Sequence, residues 1–350
     1  MIRRARVSLN KANAGKLEAL HTFMLEAQRV VREYIDILWV SKQMHGRFVN
    51  IKVDTWLSAR MQQNLGKQAL EIVKSQRKRK TRTKPQFNRL TFNLDSRFVD
   101  IKATGNSFDL WVKLGSLGNK LSIRLPFNRH RHFNRFAGWT QSKSARISCV
   151  RGEYYLDVFF EKDAPEKKTT GKHIAVDIGY KKLLVTSENQ RAGDDSIYEK
   201  IARKQQGSKA FKRALVERDE AINTACKQIM SGDVSVLYAE NLKSVKTGIK
   251  GKLRKRFNNK LQRWSYSKVL SRLSMLCEEM GVTMILVPPA YTSQRCSKCG
   301  VICKSNREGG NYRCACGNSM DADYNAALNI LHMGEYGPHA FNPIPLYSSG

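Results

Sequence analysis

The sequence predicts a multidomain α+β protein, and three features of the chain point to that class. Short segments with period-two alternation fill residues 87–160, strands and helices alternate after residue 172, and paired cysteines occupy residues 296–316. Period-two alternation predicts half-buried strands, whereas alternating strands and helices predict an α/β domain. The chain has 350 residues, which allows two or three domains with cores of their own.

The first half is predicted to combine helices with a small β-barrel. An alternating strand at residues 3–9 precedes two amphipathic helices, at 17–38 and at about 55–75. The strands within 87–160 are separated by Gly-Asn and Arg-Gly turns, which predict hairpins. We expect the N-terminal strand to complete the barrel.

The second half predicts an α/β domain. Two consecutive strands, HIAVDIG and KKLLVTS, precede a helical stretch at about 204–230. The strand VSVLYAE, a helix at 261–280 and the strand TMILVPP follow. A hairpin followed by alternating helices and strands is the order of an RNase H-like fold.

The charge balance indicates a polyanionic partner. Lys and Arg number 62 against 30 Asp and Glu, which gives a formal net charge of +32. Nucleic acid is the expected partner, and its binding should depend on salt. No apolar run of about 20 residues is present, so no membrane span is expected. Five of the eight cysteines are clustered and three are scattered, which predicts a reducing compartment and one metal site.

Three carboxylates occupy positions at which this fold could use them. Asp177 lies within an apolar strand, Glu240 ends the strand VSVLYAE, and Asp323 starts a helix after the cysteines. Three carboxylates at neighbouring element ends can hold two Mg²⁺ ions for phosphodiester hydrolysis. Each acid alone fits a strand end or a cap, and Asp323 suits a helix N-cap. Together they predict a catalytic site, in which Asp321 ranks below Asp323.

Four cysteines predict a zinc ribbon. Cys296 and Cys299 form a C-x-x-C pair, and Cys314 and Cys316 form a C-x-C pair. Four thiolates suit tetrahedral zinc. Because the second pair is short, ligation by all four is strained. A site that uses Cys303 instead, or a degenerate site, is the alternative.

Basic segments are expected to contact nucleic acid, with a solvated linker as the alternative. One runs from Lys74 to Lys84 and another covers residues 250–260, and Arg307 in the ribbon loop could approach a scissile phosphate. The candidate contacts are Lys74, Arg77, Lys78, Arg79, Lys80, Arg82, Lys84, Arg254, Lys255, Arg256 and Arg307.

Five motifs of the second half form a recognisable set. They are VDIGYKKLLVTS, YAENLKSVK and KLQRWSYSKVLSRL, together with the more specific VPPAYTSQRCSKCG and DADYNAALNI. Through these motifs the second half resembles TnpB, a family of transposon-encoded RNA-guided nucleases similar to the compact type V CRISPR nucleases. The resemblance implies that Asp177, Glu240 and Asp323 are the triad of a RuvC-like nuclease and bind Mg²⁺. It also implies a second cysteine pair of C-x-x-C form, from which this chain departs. The first half matches only in its order of segments.

The resemblance further implies partners and a domain organisation. The barrel resembles a wedge domain and the helices a minimal recognition lobe, which would hold a guide RNA and read a short DNA motif beside a double-stranded DNA target. We expect a monomeric ribonucleoprotein in the prokaryotic cytoplasm, with two catalytic Mg²⁺ ions and one structural Zn²⁺ ion. The expected boundaries are 1–10 and 81–165 for the wedge, 11–80 for the recognition lobe, 170–290 and 320–333 for the nuclease domain, 291–319 for the ribbon, and 334–350 for a disordered tail.

Two other functions remain open at the level of sequence. One is a nuclease-independent RNA-guided DNA-binding protein that acts like a repressor, against which the three intact acids argue. The other is a transposase or an accessory protein of one, because RNase H-like cores also join strands. The ribbon inserted before the last acid argues against the transposase.

Overall fold

The computed structural model describes residues 1–41, 46, 49–103, 107–242 and 265–337. Contacts divide the chain into two compact units, Met1–Asp163 and Ala164–Gly350. Among the described residues, no helix combines the length and apolar character that a membrane crossing needs.

Unit 1 consists of strands and helices that share one hydrophobic core. The strands are β1 (Ile2–Ser8), β2 (Leu90–Leu94), β3 (Val99–Ala103), β4 (Leu110–Leu114), β5 (Ile123–Phe127), β6 (Thr140–Val150) and β7 (Glu153–Glu161). The helices are α1 (Ala14–Val40), α2 (Ala59–Arg77) and the short α3 (Arg131–Asn134). Buried side chains of α1, α2 and the strands belong to one cluster, so the helices pack directly on the strands.

The strands of unit 1 pair as two antiparallel sheets, ordered β1-β7-β6-β2 and β3-β4-β5. The N-terminal strand therefore joins the strands of residues 90–161, as the sequence predicts. Arg151 and Gly152 connect β6 to β7 with φ values of 56° and 81°, the positive range that tight hairpins favour. The predicted Gly-Asn turn lies outside the described residues, and closure of the two sheets into a barrel stays a prediction.

Unit 2 contains one large sheet, a small three-stranded sheet and four helices within the described residues. The strands are β8 (Lys172–Asp177), β9 (Lys182–Thr186), β10 (Arg191–Asp194), β11 (Val234–Glu240), β12 (Thr283–Val287), β13 (Arg307–Glu308), β14 (Asn311–Arg313) and β15 (Ser319–Asp321). The helices are α4 (Ser196–Ala202), α5 (Lys209–Ile229), α6 (Tyr266–Met280) and α7 (Ala322–Tyr336).

The large sheet is mixed, with the order β10-β9-β8-β11-β12. Strands β8, β11 and β12 run parallel, whereas β9 is antiparallel to both of its neighbours. Because successive strand residues face opposite sides, Val176 packs with α5 and α6, while Ala175 packs with α7. Helices therefore cover both faces of the sheet.

Several element boundaries differ from the sequence prediction. The helix expected at about 204–230 is α5, which begins only at Lys209, because the chain turns at Gly207 with φ 86° before the N-cap Ser208. Strand β10 and helices α3 and α4 were not predicted. Helix α7 continues to Tyr336, past the expected end of the nuclease domain at 333.

Candidate active site

The carboxyl ends of two neighbouring parallel strands bring Asp177 and Glu240 to one edge of the large sheet. Asp177 ends β8 and Glu240 ends β11. Directly after Asp177 the chain turns at Gly179, where an added Cβ would collide with the backbone carbonyl oxygen of Lys182. The Asp-Ile-Gly sequence therefore reflects a close backbone approach that excludes larger residues.

Asp323 lies in the first turn of α7 but does not cap the helix. The N-cap is Asp321, whose Oδ1 accepts hydrogen bonds from the amides of Asp323 and Tyr324, each at 3.1 Å. The interpretation of Asp323 as an N-cap is therefore wrong. The other oxygen of Asp321 pairs with Lys182 Nζ. Both oxygens of Asp321 are thus engaged, and the carboxylate of Asp323 is not used by the cap.

The three predicted acids share one electrostatic environment. Burial raises the pKa of Asp177 well above its usual range, and the negative charges of Glu240 and Asp323 raise it further. Burial also raises the pKa of Glu240, while the Thr292 hydroxyl and the Arg307 charge act against that increase. A divalent cation relieves repulsion of this kind, so the oxygen donors of this group fit a hard metal ion such as Mg²⁺.

Two basic side chains lie against Asp323. Arg307 Nη2 is 2.9 Å from Oδ1, and Lys182 Nζ is 3.7 Å from Oδ2. Arg307, one of the predicted nucleic-acid contacts, thus lies beside the predicted catalytic acid Asp323. Sequence reasoning missed Lys182, because a lysine at the start of a strand carries no local signal of such a contact.

The four predicted zinc ligands converge. Cys296 Sγ lies 3.6 Å from Cys316 Sγ, and Cys299 Sγ lies 3.7 Å from Cys314 Sγ. All four sulfur atoms lie within 4.8 Å of one another. A tetrahedral site with Zn–S bonds of about 2.3 Å has sulfur atoms about 3.8 Å apart, so these residues fit one zinc ion.

A tight turn explains why the short C-x-C pair still converges. The amide of Gly317 donates to the carbonyl of Cys314 at 3.0 Å, and Gly317 adopts a φ of 82°. Cys303 lies outside the cluster, and its Sγ is 3.0 Å from Ser305 Oγ. The geometry therefore favours the four-cysteine site over the one that uses Cys303.

Hydrogen bonds around Cys296 favour its thiolate. Burial acts in the opposite direction, but the backbone amides of Cys299 and Lys298 and the side chain of Asn318 lower the pKa of Cys296 to about 6. Asn318 Nδ2 lies 3.3 Å from the Cys296 sulfur. Donors of this kind are typical of the surroundings of thiolate metal ligands.

Two buried asparagines of α7 hold the segment that leads into the ribbon. Asn325 accepts a hydrogen bond from the Ser297 amide at 3.0 Å and donates to the Arg295 carbonyl at 2.8 Å. Asn329 donates to the carbonyls of Thr292 and Arg295. The helix that carries Asp323 is therefore tied directly to the ribbon.

The basic segment Lys74–Lys84, which begins in the last turn of α2, contains both packed and exposed residues. Arg77 Nη2 donates to the carbonyls of Leu38, Trp39 and Ser41 at the end of α1, at 2.9 to 3.0 Å. Lys74 donates to the Gly46 carbonyl, and Lys84 pairs with Asp36. The exposed members of the predicted set are Lys78, Arg79, Lys80, Arg82 and the ion-paired Lys84. The predicted contacts Arg254, Lys255 and Arg256 lie outside the described residues.

Comparison with known proteins identifies related sequences. The family model of the Cas12f1-like TNB domain matches residues 266–330. The CRISPR-associated endodeoxyribonuclease Cas12f1 of Sulfoacidibacillus thermotolerans is 47% identical over 72 residues, which are 20% of this chain and 17% of that protein. A TnpB-like protein of Aquifex aeolicus is 28% identical over 241 residues, which cover 55% of this chain and 78% of that protein.

A solved structure shares the fold. The cryo-EM structure of a Cas12f1–sgRNA–target DNA complex matches with a TM-score of 0.59 and 15% identity. The match covers 91% of this chain and 83% of that one. In sequence, the chain spans from about a sixth to three quarters of the length of the relatives described here.

Proposed function

Because this chain belongs to the family of TnpB and the compact type V nucleases, we propose that it is an RNA-guided DNA endonuclease. The observation that supports the proposal is that Asp177 and Glu240 end neighbouring parallel strands and that burial and the charges of Glu240 and Asp323 all raise the pKa of Asp177. Repressor-like binding without cleavage would not require three carboxylates to be held in mutual repulsion.

The fold supports a RuvC-like, RNase H-like core. Three antiparallel strands β10-β9-β8 followed by the parallel strands β11 and β12 give the order expected for that class. The acids lie at the carboxyl ends of β8 and β11 and in the first turn of α7. In the proposed organisation, the ribbon at 291–319 interrupts this core, and unit 1 supplies the wedge and recognition segments.

We assign Asp177, Glu240 and Asp323 as the ligands of Mg²⁺. When bound, two Mg²⁺ ions would activate a water molecule and stabilise the leaving oxygen of the phosphodiester. The chain's own part is to place these three carboxylates at one edge of the sheet. Arg307 and Lys182 offset part of their negative charge, and Arg307 would add a positive charge near the phosphate that is to be cut.

The partners in this proposal are a guide RNA and double-stranded target DNA beside a short motif, bound by one monomeric chain. The formal charge of +32 supports a partner with many phosphates. Base pairing with the guide would supply sequence specificity, while the protein reads the adjacent motif and the shape of the heteroduplex. Zinc held by Cys296, Cys299, Cys314 and Cys316 would stabilise the ribbon.

The experiment that tests the function starts from RNA that co-purifies with the chain. Sequencing should recover one defined transcript with a variable end. A complex programmed through that end should cut a matching DNA duplex only with Mg²⁺ present. Recovery of random RNA, or guided binding without cutting, would favour the binding-only alternative.

A further inference from the structure

The segment that leads into the ribbon places a buried hydroxyl against one of the acids. Thr292 Oγ1 donates a hydrogen bond to Oε1 of Glu240, and Thr292 is only 3% exposed. The carbonyl oxygen of Pro289 lies farther from the same hydroxyl, at 3.3 Å. Since a hydroxyl has one proton to donate, the carboxylate is its main acceptor.

Thr292 is itself held in place by α7. Asn329 Nδ2 lies 2.9 Å from the Thr292 carbonyl and 2.7 Å from the Arg295 carbonyl. Asn329 is 1% exposed, so these bonds are shielded from water. The helix that carries Asp323 therefore also fixes, through Thr292, the position of Glu240.

We propose that Thr292 is a positioning residue that orients Glu240 for metal binding. The proposal rests on the function proposed above and gives Thr292 no contact with substrate. The hydroxyl engages Oε1, while Oε2 has no hydrogen-bond donor in the part of the chain that the structure describes. Because the hydrogen bond already fixes the orientation of the carboxylate, metal binding through the other oxygen costs little further side-chain entropy.

The test compares two substitutions at this position with one matched control. Thr292→Val removes the hydroxyl and keeps the branched shape, whereas Thr292→Ser keeps the hydroxyl. The control is Thr186→Val, because Thr186 in β9 is 1% exposed and its hydroxyl accepts a hydrogen bond from the Gln190 amide rather than contacting an acid. Thermal denaturation establishes that each variant is folded.

Two readouts separate positioning from general destabilisation. The first is Mn²⁺ binding by the full chain without nucleic acid, in which electron paramagnetic resonance measures the free Mn²⁺ concentration. The second is the Mg²⁺ concentration that gives half-maximal guided cleavage. We expect Thr292→Val to weaken Mn²⁺ binding and raise the Mg²⁺ requirement about 10- to 100-fold, as is typical for residues that orient metal ligands. Thr292→Ser and Thr186→Val should stay close to wild type.

Equal Mn²⁺ affinity and equal Mg²⁺ requirement in Thr292→Val and wild type would overturn the proposal. A comparable loss in Thr292→Ser or in Thr186→Val would also overturn it, because the loss would then not follow the hydroxyl. If Thr292→Val does not fold, Thr292→Ala takes its place with the same criteria. A wild-type chain that binds Mn²⁺ but cuts no guided target would refute the proposed function, while the Mn²⁺ affinities would still decide the role of Thr292.

Discussion

Arg307 Nη2 lies 2.9 Å from Asp323 Oδ1, so the first strand of the ribbon and the first turn of α7 meet in one ion pair. Thr292, also within the predicted ribbon at residues 291–319, makes a second connection, to Glu240. Residues of this segment therefore contact two of the three acids.

Replacing Arg307 with Ala should slow guided cleavage and shift its pH dependence. The Arg307 charge holds down the pKa of both Asp177 and Glu240, so its removal should raise both values. Metal ligands must be deprotonated, and the acidic limb of the pH–rate profile should therefore move to higher pH. Loss of one charge near the reacting phosphate should lower the rate at pH 7 about 10-fold or more.

The matched control for this experiment is Arg313→Ala, since Arg313 is an exposed arginine in β14 of the same ribbon. It should leave the pH profile unchanged. A shift of the Arg307→Ala profile to lower pH would contradict the electrostatic role given to Arg307.

Asp321 and Asp323 should respond differently to the same substitution. Asp321→Asn keeps an oxygen that can cap α7, so this variant should fold and retain most of its cleavage. Asp321→Ala should lower the free energy of unfolding by about 1 kcal/mol, because the cap is lost. Asp323→Asn should remain folded and lose cleavage. Denaturant titration and a guided cleavage assay measure these outcomes. Full cleavage by Asp323→Asn together with no cleavage by Asp321→Asn would show that Asp321, and not Asp323, is the catalytic acid.

The features predicted correctly from sequence are those with a local signal. The alternating strand β1 and the helical spacing in α1 give the elements of the first half. Strand β10 has no such signal, because the sequence Arg-Ala-Gly-Asp is short and polar and becomes a strand by pairing with β9. The choice between Asp321 and Asp323 depends on backbone geometry at the cap, which the residue types alone do not determine.

Contacts between distant segments explain the rest of what sequence reasoning missed. Thr292 and Glu240 are 52 residues apart, and Lys182 and Asp321 are 139 residues apart. Neither pair follows from spacing, because the sheet and α7 bring them together only after folding. The four cysteines were predictable as a set because their spacing is local, although the turn that accommodates the short pair was not.

The zinc content should depend on Cys316 and not on Cys303. We expect about one zinc per purified chain. Cys316→Ser should lose most of it, because one of four converging sulfur atoms is removed. Cys303→Ser is the matched control and should retain the zinc. Elemental analysis measures both, and loss in Cys303→Ser with retention in Cys316→Ser would support the alternative ligand instead.

The basic segment Lys74–Lys84 should contain residues that bind nucleic acid and one residue, Arg77, that stabilises unit 1. Replacing Lys78, Arg79 and Lys80 with Ala should lower the slope of log affinity against log salt by about 2 to 3, since each phosphate contact contributes somewhat less than one. The melting temperature should not change, because these side chains are exposed.

Arg77→Ala should instead destabilise the protein and leave the salt slope of nucleic-acid binding unchanged. Three backbone carbonyls at the end of α1 lose their donor, which should lower the free energy of unfolding by about 1 to 3 kcal/mol. Denaturant titration and salt-dependent binding distinguish the two variants. An unchanged salt slope in the triple variant would show that Lys78, Arg79 and Lys80 do not contact nucleic-acid phosphates.

The most direct test of the account is guided cleavage by Asp177→Ala. Asp177 is the acid on which the charges of Glu240 and Asp323 act, so its loss should remove the metal-dependent reaction while leaving the guide RNA and target DNA bound. The measurement is cleavage of a matched duplex with Mg²⁺, beside binding of the same duplex by the same preparation. We expect near wild-type binding and no cleavage. Cleavage at the wild-type rate would contradict the assignment of this cluster as the active site.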